Sequence, residues 1–323
     1  RNYNCAESLL RAANDYYDLG IRDRDMILAA GYGAGMQTGN TCGAVLAAIS
    51  VLSLQYVEAK AHESQEIKPR VMLFLDAFQK RLNAGTLCRD IKPVCFDPDR
   101  RCIRTVQAAC DALEEAIREP VISVQTMRKS DAWTIEHLIP SKELMKRAGQ
   151  GIFDAAQWNA PVAVLCGKGN NAGDGYVAAA LMKEAGIDCT VILTSDQFSE
   201  DGTYYYQKCL DLGVPVEHYR EDMDLSGYNT ILDCLLGTGF QGDVRGILKD
   251  VIGKINDSGA YVVSADINSG LNGDTGEGGT FVRSDLTVSI GAYKYGHFLG
   301  KAQEAIRERM NCNIGIRILG EMI

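Results

Sequence analysis

Val162-Ala-Val-Leu-Cys-Gly-Lys-Gly-Asn-Asn-Ala-Gly-Asp-Gly-Tyr176 is the stretch of sequence that decides the fold. Its first four residues, Val162 to Leu165, form an apolar run that predicts a buried strand. Four glycines follow between positions 167 and 175, and residues 177–186 then have the pattern of a helix that ends at a glycine. A strand, a glycine-rich turn and a helix in this order form the first unit of a doubly wound α/β sheet, which binds ligands at the carboxyl ends of its strands.

The glycine spacing separates this turn from two common nucleotide-binding motifs. Gly167, Gly169 and Gly173 give G-x-G-x-x-x-G rather than the dehydrogenase G-x-G-x-x-G, and no G-K-[ST] sequence completes a P-loop. Backbone N–H groups of such a turn and of the following helix bind phosphate. Asn170-Asn171-x-x-Asp174 adds two amides and a carboxylate, which indicates a bound cation or a reacting group beside the phosphates. The alternative is an ordinary turn in which Asn and Asp cap the helix.

The composition is that of a globular protein of one or two domains. The chain has 323 residues, of which 46% are hydrophobic and 23% are charged. Its net charge of −9 argues against nucleic-acid binding. No apolar stretch approaches the length of a transmembrane helix and no signal peptide is recognisable, so we expect a cytoplasmic protein with no membrane partner. The sequence begins at Arg1 rather than Met, which leaves the natural N-terminus undetermined.

Residues 1–119 and 120–323 differ in pattern and are predicted to form two domains. In the first segment apolar residues recur near a 3.6-residue period, which predicts a small all-helical domain. Its predicted helices lie at residues 6–17, 24–30, 43–58, 70–82 and 101–118. After Glu119-Pro120, strands and helices alternate as in α/β proteins.

The second segment contains further predicted elements on both sides of the glycine-rich turn. Ser141 is predicted to cap a helix that runs to Trp158, and later helices are predicted at residues 201–212 and 246–255. Further strands are predicted at residues 189–193, 214–217, 230–233, 261–266 and 285–290, with a last strand at 314–318 on a sheet edge.

Cysteine is frequent, and six of the eleven cysteines lie in the first 110 residues. Their spacings fit no zinc-finger or zinc-ribbon template. The odd count and the lack of an export signal favour reduced thiols. Two interpretations remain open: Cys5, Cys42 and the group from Cys88 to Cys110 converge on a metal, a cluster or a redox disulfide, or they are small buried apolar side chains.

Three motifs of the first segment carry a resemblance to a known family. They are Tyr3-Asn-Cys5-Ala6, Thr41-Cys42-Gly43-Ala44 and Leu87-Cys88-Arg89-Asp90. Together they resemble the redox-active family named for the pattern C…GCAxxG…C…C, over roughly residues 1–115. Thr41 and Ala47 stand where that pattern has glycine. The resemblance implies a helical site lined by cysteines, for a metal or for electrons.

Three predicted strands of the second segment end in polar, glycine-rich turns, at residues 167–175, 233–242 and 266–270. Strand ends of this kind gather on one edge of a parallel sheet. The side chains brought together there are Asn171, Asp174, Asp233, Asp266 and Ser269. Because these ligands are oxygens, with little sulfur or imidazole, they favour a hard cation over zinc.

Ordered motifs across residues 121–320 resemble the YjeF N-terminal domain family, the NAD(P)H-hydrate epimerases. The motifs are Met127-Arg-x-x-Asp131, Ile139-Pro-Ser-x-x-Leu-Met145, Gly169-Asn-Asn-x-Gly-Asp-Gly175, Asp233-x-x-x-Gly-Thr-Gly239, Asp266-Ile-x-Ser-Gly270, and Asp285-Leu-Thr287 with Lys294. Asn268 departs from the family, which usually has proline there. Proline would stiffen the loop, so its absence puts the rigidity of this loop in question.

The resemblance implies a fold, a reaction and partners. The fold is a Rossmann-like αβα three-layer sandwich with a mostly parallel sheet. The reaction is the interconversion of the R and S epimers of hydrated NADH and NADPH (NAD(P)HX) at C6 of the nicotinamide ring, so that a separate dehydratase can repair the S form. The resemblance also implies one potassium ion per subunit and a homodimer.

Roles for individual residues follow from the same resemblance. Asn171, Asp233 and Ser269 would hold the potassium ion. Asp266, or else Asp174, would be the catalytic acid and then base, because the C6 hydroxyl must leave or the ring must open before water returns on the other face. The substrate contacts would be Asn170, Asn171, Ala172, Gly173, Asp174, Gly237, Thr238, Gly239, Phe240, Gln241, Gly242, Asp243 and Asp266.

Two other classes of function compete with this interpretation. A dehydrogenase that uses intact NAD(P) would need an acidic ribose binder after the second strand, for which Asp196 is the candidate. Against it, the Asn-Asn-x-x-Asp turn would crowd the pyrophosphate. A nucleotide-binding regulatory or scaffold module is the other alternative, as in relatives from mRNA-decapping proteins. Such relatives lose the polar turns, whereas all three are intact here.

Overall fold

The structure, a computed structural model, describes residues 2–320. The chain divides into two compact units, Arg1–Pro120 and Val121–Ile323. Each unit has its own core and is described by itself. Among the described residues, no helix combines the length and the apolar character needed to span a bilayer.

The first unit is helical, as predicted. Its helices are α1 (Cys5–Tyr17), α2 (Asp23–Met26), α3 (Gly43–Tyr56), α4 (Ile67–Leu82), α5 (Cys88–Cys95) and α6 (Ile103–Arg118). Helix α3 packs against α1, α4 and α6. Its small side chains Ala44, Ala47 and Ala48 are fully or almost fully buried, which lets the neighbouring helices approach closely.

A buried arginine closes the end of this helical unit. Arg70 on α4 is only 3% exposed. Its guanidinium donates hydrogen bonds to the carbonyl oxygens of Ala116 at 2.8 Å and of Glu119 at 2.5 Å. These carbonyls lie at the end of α6, where a helix leaves its last C=O groups without internal partners. Arg70 therefore ties the last helix of the unit to α4.

The second unit contains a sheet with helices on both faces. Its strands are β1 (Val121–Ile122), β2 (Val162–Cys166), β3 (Cys189–Leu193), β4 (Val216–His218), β5 (Thr230–Cys234), β6 (Tyr261–Ala265), β7 (Ser284–Ile290), β8 (Tyr293–Lys294) and β9 (Ile306–Cys312). Its helices are α7 (Val124–His137), α8 (Ser141–Ala155), α9 (Asn170–Glu184), α10 (Glu200–Asp211), α11 (Ile247–Asp257) and α12 (Ala302–Ala305).

Seven strands form one parallel sheet in the order β4-β3-β2-β5-β6-β7-β9, and β1 pairs separately with β8. In the register, Leu165 of β2 lies between Ile192 of β3 and Asp233 of β5. The chain runs outward from β2 through β3 to β4 and then returns to β5 on the other side of β2. The point between β2 and β5 is therefore the switch point at which doubly wound sheets bind ligands.

Alternate residues of β2 pack into different cores. Val162 and Val164 face the core built with α8, α9 and α10, whereas Ala163 and Leu165 face the core built with α11. Because both faces of the sheet are covered, its central strands are apolar without alternation. The predicted α/β three-layer class is confirmed.

Helix α9 begins earlier than predicted. We expected it from residue 177, but it begins at Asn170 with Gly169 as its N-cap, so Asn-Asn-x-x-Asp is its first turn. The glycines that favoured a turn serve helix packing instead. A Cβ on Gly173 would lie 2.4 Å from the flexible Met145 side chain of α8, and one on Gly149 of α8 would lie 2.7 Å from the backbone oxygen of Asp174, so glycine lets α8 and α9 approach closely.

Two further predictions in the second unit are wrong. The edge strand is β9, Ile306–Cys312, and residues 314–318 are not a strand. Arg and Glu alternate in β9, as suits an exposed edge, and this charge concealed it from a search for apolar runs. Ser141 is the first residue of α8 rather than its N-cap, because Pro140 occupies the cap position and no side chain caps this helix.

Asn268, in the loop after β6, makes this loop rigid through the hydrogen bonds of its side chain, although proline is absent. It is fully buried. Its amide nitrogen donates to Val282 O at 2.8 Å, to Ser284 Oγ at 3.0 Å and to Ala305 O at 3.1 Å. Its Oδ1 accepts a hydrogen bond from Thr287 Oγ1 at 2.5 Å. The loop is thus fixed by side-chain hydrogen bonds to two separate segments, residues 282–287 and the end of α12.

We predict that Asn268→Ala destabilises the second unit by about 2–4 kcal/mol, because it leaves several buried polar groups without partners. The measurement is urea unfolding followed by tryptophan fluorescence. Both tryptophans, Trp133 and Trp158, lie in the second unit, so the signal reports this unit alone. Asn313→Ala is the matched control, since that side chain is exposed and makes one local hydrogen bond to Gly315 N. Equal losses in the two variants would contradict the prediction.

Candidate functional site

A cavity of about 600 Å³ opens at the carboxyl ends of β2 and β5, at the switch point of the sheet. Helices α7 and α8 form one wall, and the first turn of α9 and the loop after β5 form another. Polar groups lie among apolar side chains. The charged side chains among them include Arg128, Asp131, Lys168, Asp174, Asp266 and Lys294.

Most of the residues predicted to contact substrate line this cavity. Those present are Asn170, Asn171, Asp174, Gly237, Thr238, Gly239, Phe240, Gln241 and Asp266. Four others are not among its lining residues. Ala172 and Gly173 are buried inside α9, and Gly242 and Asp243 are exposed farther along the loop. Asp196, the ribose binder of the dehydrogenase alternative, lies outside the cavity and pairs with His218 at 3.4 Å.

Helix α9 presents an uncapped N-terminus to the cavity. Its N-cap, Gly169, has no side chain, so the first N–H groups of the helix have no side-chain acceptor. By contrast, Ser123 caps α7 and Ser199 caps α10. Close approach of backbone also shapes this turn, because a Cβ on Gly167 would lie 2.0 Å from Leu235 O. The free N–H groups and the helix dipole favour an anionic ligand here.

Asp266 is held in a fixed position at the end of β6. Its φ of 61° lies in the left-handed region that non-glycine residues seldom adopt. Its Oδ2 accepts hydrogen bonds from Thr238 N at 3.1 Å and Thr238 Oγ1 at 2.9 Å. Its Oδ1 lies 2.5 Å from Lys294 Nζ. Burial by itself would raise the pKa of Asp266, but the Lys294 ammonium and the Thr238 N–H outweigh it and hold the pKa below its ordinary value.

Lys294 is almost completely buried, at 1% exposure. Besides Asp266, its ammonium donates a hydrogen bond to Ile290 O at 2.9 Å. A buried charge of this kind is stable only with a paired and hydrogen-bonded partner. The Asp266–Lys294 pair is therefore the electrostatic centre of the cavity.

A neutral histidine forms hydrogen bonds with the backbone of both members of this pair. His297 is fully buried, and its Nε2 lies 2.6 Å from the carbonyl oxygen of Asp266. Burial and the positive charge of Lys294 lower the pKa of His297 to about 4. Because a carbonyl only accepts, Nε2 carries the proton, and Nδ1 then accepts the Lys294 N–H at 3.0 Å. His297 thereby fixes the backbone at both members of the ion pair.

Asp174 and Asp131 differ from Asp266 in the direction of their pKa shifts. Burial, and then the negative charges of Asp266 and Asp131, raise the pKa of Asp174 well above its ordinary value. Burial also raises the pKa of Asp131, although Lys294 opposes this. One cavity thus contains a carboxylate whose pKa is held below its ordinary value, Asp266, and a carboxyl whose pKa is raised well above it, Asp174. Carboxyl groups with pKa values pushed apart in this way are typical of acid–base sites.

Of the residues predicted to bind potassium, Asn171 lines the cavity, whereas Asp233 and Ser269 are not among its lining residues. Asp233 and Ser269 are fully buried, and Ser269 Oγ donates to Asp233 Oδ1 at 2.5 Å. Burial raises the pKa of Asp233, and hydrogen bonds from Ser269, Leu235 and Ser264 oppose that rise. Asn171 has a different environment: both its amide oxygen and its amide nitrogen are buried and have no partner among residues 2–320.

The sequence reasoning assigned no role to Lys294, His297 or Asp131. Lys294 and Asp131 stood in motifs of the family resemblance, and that signal could have placed both at the site. His297 lies three residues after Lys294 and had no motif of its own. Its role depends on burial, which a single sequence does not show.

The cysteines of the described chain are all free thiols. Within residues 2–320, no group of three or more His, Cys, Asp and Glu side chains is arranged to hold a metal ion.

Fold and site together define a doubly wound α/β protein with an acid–base cavity at the switch point of its sheet. Residues 141–296 match the family described as "YjeF-related protein N-terminus". Residues 3–116 match the family described as "Putative redox-active protein (C_GCAxxG_C_C)".

Curated relatives have names that agree with the first match. The NAD(P)H-hydrate epimerase of Limosilactobacillus reuteri is 33% identical over 185 residues, which is 55% of this chain and 87% of that protein. That of Rhodopirellula baltica is 31% identical over 194 residues, 57% of this chain and 80% of that protein. The bifunctional NAD(P)H-hydrate repair enzyme Nnr of Coxiella burnetii is 36% identical over 197 residues. The aligned region spans 59% of this chain but only 40% of the length of that bifunctional relative.

Among solved structures, the crystal structure of yeast ynu0 covers 63% of this chain and 96% of that chain, with a TM-score of 0.53 and 19% identity. At this identity the likeness supports the fold alone. The two epimerase relatives, covered over 87% and 80% of their length, show the family. The chain belongs to the YjeF N-terminal family, the family of the NAD(P)H-hydrate epimerases.

We predict that His297 makes the second unit sensitive to acid. Its folded pKa of about 4 lies below the unfolded value of 6.5, so the unfolded chain takes up a proton first as the pH falls. Stability is therefore lost from about pH 6.5 downward, by about 2 kcal/mol between pH 7 and pH 5 from this group. Urea unfolding by tryptophan fluorescence at both pH values measures it.

The variant His297→Gln keeps a donor near the Asp266 carbonyl but has no titrating ring. Its loss of stability between the two pH values should be smaller than that of the wild type by this amount. His137→Gln, which replaces an exposed imidazole of α7, is the control. An unchanged pH dependence in His297→Gln would contradict the assignment.

Proposed function

We propose that the second unit is an isomerase that epimerises hydrated NADH and NADPH at C6 of the nicotinamide ring. The observation that carries the proposal is the pair of carboxyl groups with opposed pKa shifts, Asp266 and Asp174, in one cavity at the switch point of the sheet. Family membership and the printed names of the relatives support it.

The cavity offers a place for each part of a dinucleotide. The uncapped N-terminus of α9 suits the diphosphate, and the exposed Lys168 precedes it on the same wall. Arg128 of α7 supplies a second cation at the cavity wall. The nicotinamide ring would then extend toward Asp266 and Asp174. There, Lys294 balances the negative charge of the Asp266 carboxylate.

The chemistry requires a proton donor first and a proton acceptor second. Asp174, protonated, gives its proton to the C6 hydroxyl, which leaves as water while the ring nitrogen lone pair forms the C6=N1 bond. Water then adds to C6 from the opposite face and gives a proton to the Asp266 carboxylate. The proton returns from Asp266 to Asp174 through water, so no atom or electron is gained or lost. Lys294 keeps Asp266 ionised and ready to accept.

We further propose that potassium binds at Asn171, Asp233 and Ser269. The support is the buried amide of Asn171, whose Oδ1 lacks a partner and is a suitable ligand for a hard cation. Asp233 supplies the negative charge, and Ser269 an oxygen. A cation there would supply charge balance near the diphosphate. In the pathway, the S epimer would pass to a dehydratase activity, the second half of the repair that the bifunctional relatives' name implies.

We predict that Asp266→Asn and Asp174→Asn each reduce the epimerisation rate about 10²–10⁴-fold, since each removes a positioned proton-transfer group. The assay starts from one isolated epimer of hydrated NADH and follows the other by chromatography above the spontaneous rate. Asp196→Asn is the matched control, because it makes the same change at an exposed carboxylate outside the cavity and should keep the wild-type rate. Full activity in Asp266→Asn would overturn the mechanism.

Potassium should stabilise the second unit even without substrate. At about 100 times its dissociation constant, the ion raises the free energy of unfolding by about 2.7 kcal/mol. Thermal unfolding by tryptophan fluorescence, in potassium against tetramethylammonium chloride, measures the shift. Asn171→Ala should abolish it, whereas Asn170→Ala, at the exposed neighbouring position, should keep it. An equal potassium shift in both variants would place the ion elsewhere.

A further inference from the structure

Two thiols of the first unit meet between the N-termini of two helices. Cys5 is the first residue of α1, and Cys42 is the N-cap of α3. Their side chains lie close enough for each to shift the pKa of the other. A Cβ built on Gly43 would come within 2.9 Å of Cys5 Sγ, so the Cys5 sulfur lies directly against the backbone that follows Cys42. Glycine at position 43 leaves room for this contact.

The surroundings stabilise a negative charge on Cys5. The Cys42 thiol, and then the backbone N–H groups of Ala34, Ala6 and Cys5, favour the charged form of Cys5. These contacts outweigh burial and lower the pKa of Cys5 to about 6. The Cys5 side chain and burial raise the pKa of Cys42. A helix N-terminus beside a thiol acts in the same direction as the N–H donors.

The two thiols also differ in their exposure to solvent. Cys5 is half-buried and can be reached from outside, whereas Cys42 is 3% exposed. Disulfide exchange needs this asymmetry, because the thiolate that attacks must be accessible while the second thiol needs to reach only its neighbour.

Two other cysteines begin helices of this unit, but their pKa values shift in the opposite direction. Cys88 is the first residue of α5, and Cys102 is the N-cap of α6. Burial, followed by the nearby charge of Cys5, raises the pKa of both thiols. Neither competes with Cys5 as the nucleophile at neutral pH.

We propose that Cys5 and Cys42 form a redox-active dithiol that exchanges with low-molecular-weight disulfides, with Cys5 as the nucleophile and Cys42 as the resolving thiol. The Cys5 thiolate attacks one sulfur of the disulfide, forms a mixed disulfide and releases one thiolate. Cys42 gives up its proton and attacks Cys5 Sγ, which expels the second thiolate and leaves a Cys5–Cys42 disulfide. The protein dithiol loses two electrons and two protons, and one disulfide becomes two thiols. This proposal is independent of the epimerase proposal.

The test uses the full-length reduced protein and oxidised glutathione, with the products mapped by mass spectrometry. The wild type should form a Cys5–Cys42 disulfide. Cys42→Ala should stop at a glutathione adduct on Cys5, and Cys5→Ala should form neither product. Cys110→Ala, in the middle of α6, is the matched control and should behave as the wild type. A disulfide between other cysteines with Cys5 unmodified, or no reaction at all, would overturn the proposal.

A second measurement needs no variant and so does not depend on how the variants fold. Alkylation of wild-type Cys5 by iodoacetamide, quantified by peptide mapping, should have a midpoint near pH 6. At pH 6 its rate should exceed that of free cysteine about tenfold, because the larger thiolate fraction outweighs the lower nucleophilicity. A midpoint at or above that of free cysteine would contradict the role of Cys5.

Discussion

The buried carboxylate of Asp233 holds together the loops that form the cavity. It lies near the end of β5 and accepts hydrogen bonds from Leu235 N at 3.2 Å, Ser264 Oγ at 2.9 Å, and Ser269 N and Oγ at 3.0 and 2.5 Å. Ser264 belongs to β6, and Ser269 to the loop beyond it. One side chain therefore joins two neighbouring strands to the turn that follows each. Buried polar groups stabilise a single arrangement when every member has partners, as here.

The acid–base arrangement depends on this fixed edge. Ser269 Oγ also accepts Leu236 N at 2.8 Å, which positions the loop that carries Thr238. Thr238 in turn donates two hydrogen bonds to Asp266. The strained backbone of Asp266 persists because Thr238, Lys294 and His297 all hold it, and such strain is typical of functional sites. The opposed pKa shifts of Asp266 and Asp174 thus follow from packing and from one buried ammonium.

The parts of this architecture that repeat a local pattern could be predicted from the sequence. The buried run Val162–Cys166 and the three polar strand ends gave the sheet and the place of the cavity. Two elements without a clear pattern were not predicted. Strand β9 was missed because its charges alternate, and helix α5 because it has only eight residues and contains Pro93. The role of Asn268 was also misjudged, because a loop can be stiffened by a buried amide as well as by proline. Lys294 and His297 act through burial, which only the fold creates.

The two units use helix N-termini in two ways, and the difference lies in what caps each helix. At α9 the cap is Gly169, which has no side chain, so the first N–H groups are available to an incoming anion. At α1 the cap is Asn4, whose side chain accepts from Ala6 N and Glu7 N. There the anion that benefits belongs to the protein, since the Cys5 thiolate is the first residue of the helix. The same dipole therefore favours ligand binding where the cap is absent, and a reactive side chain where the cap is complete.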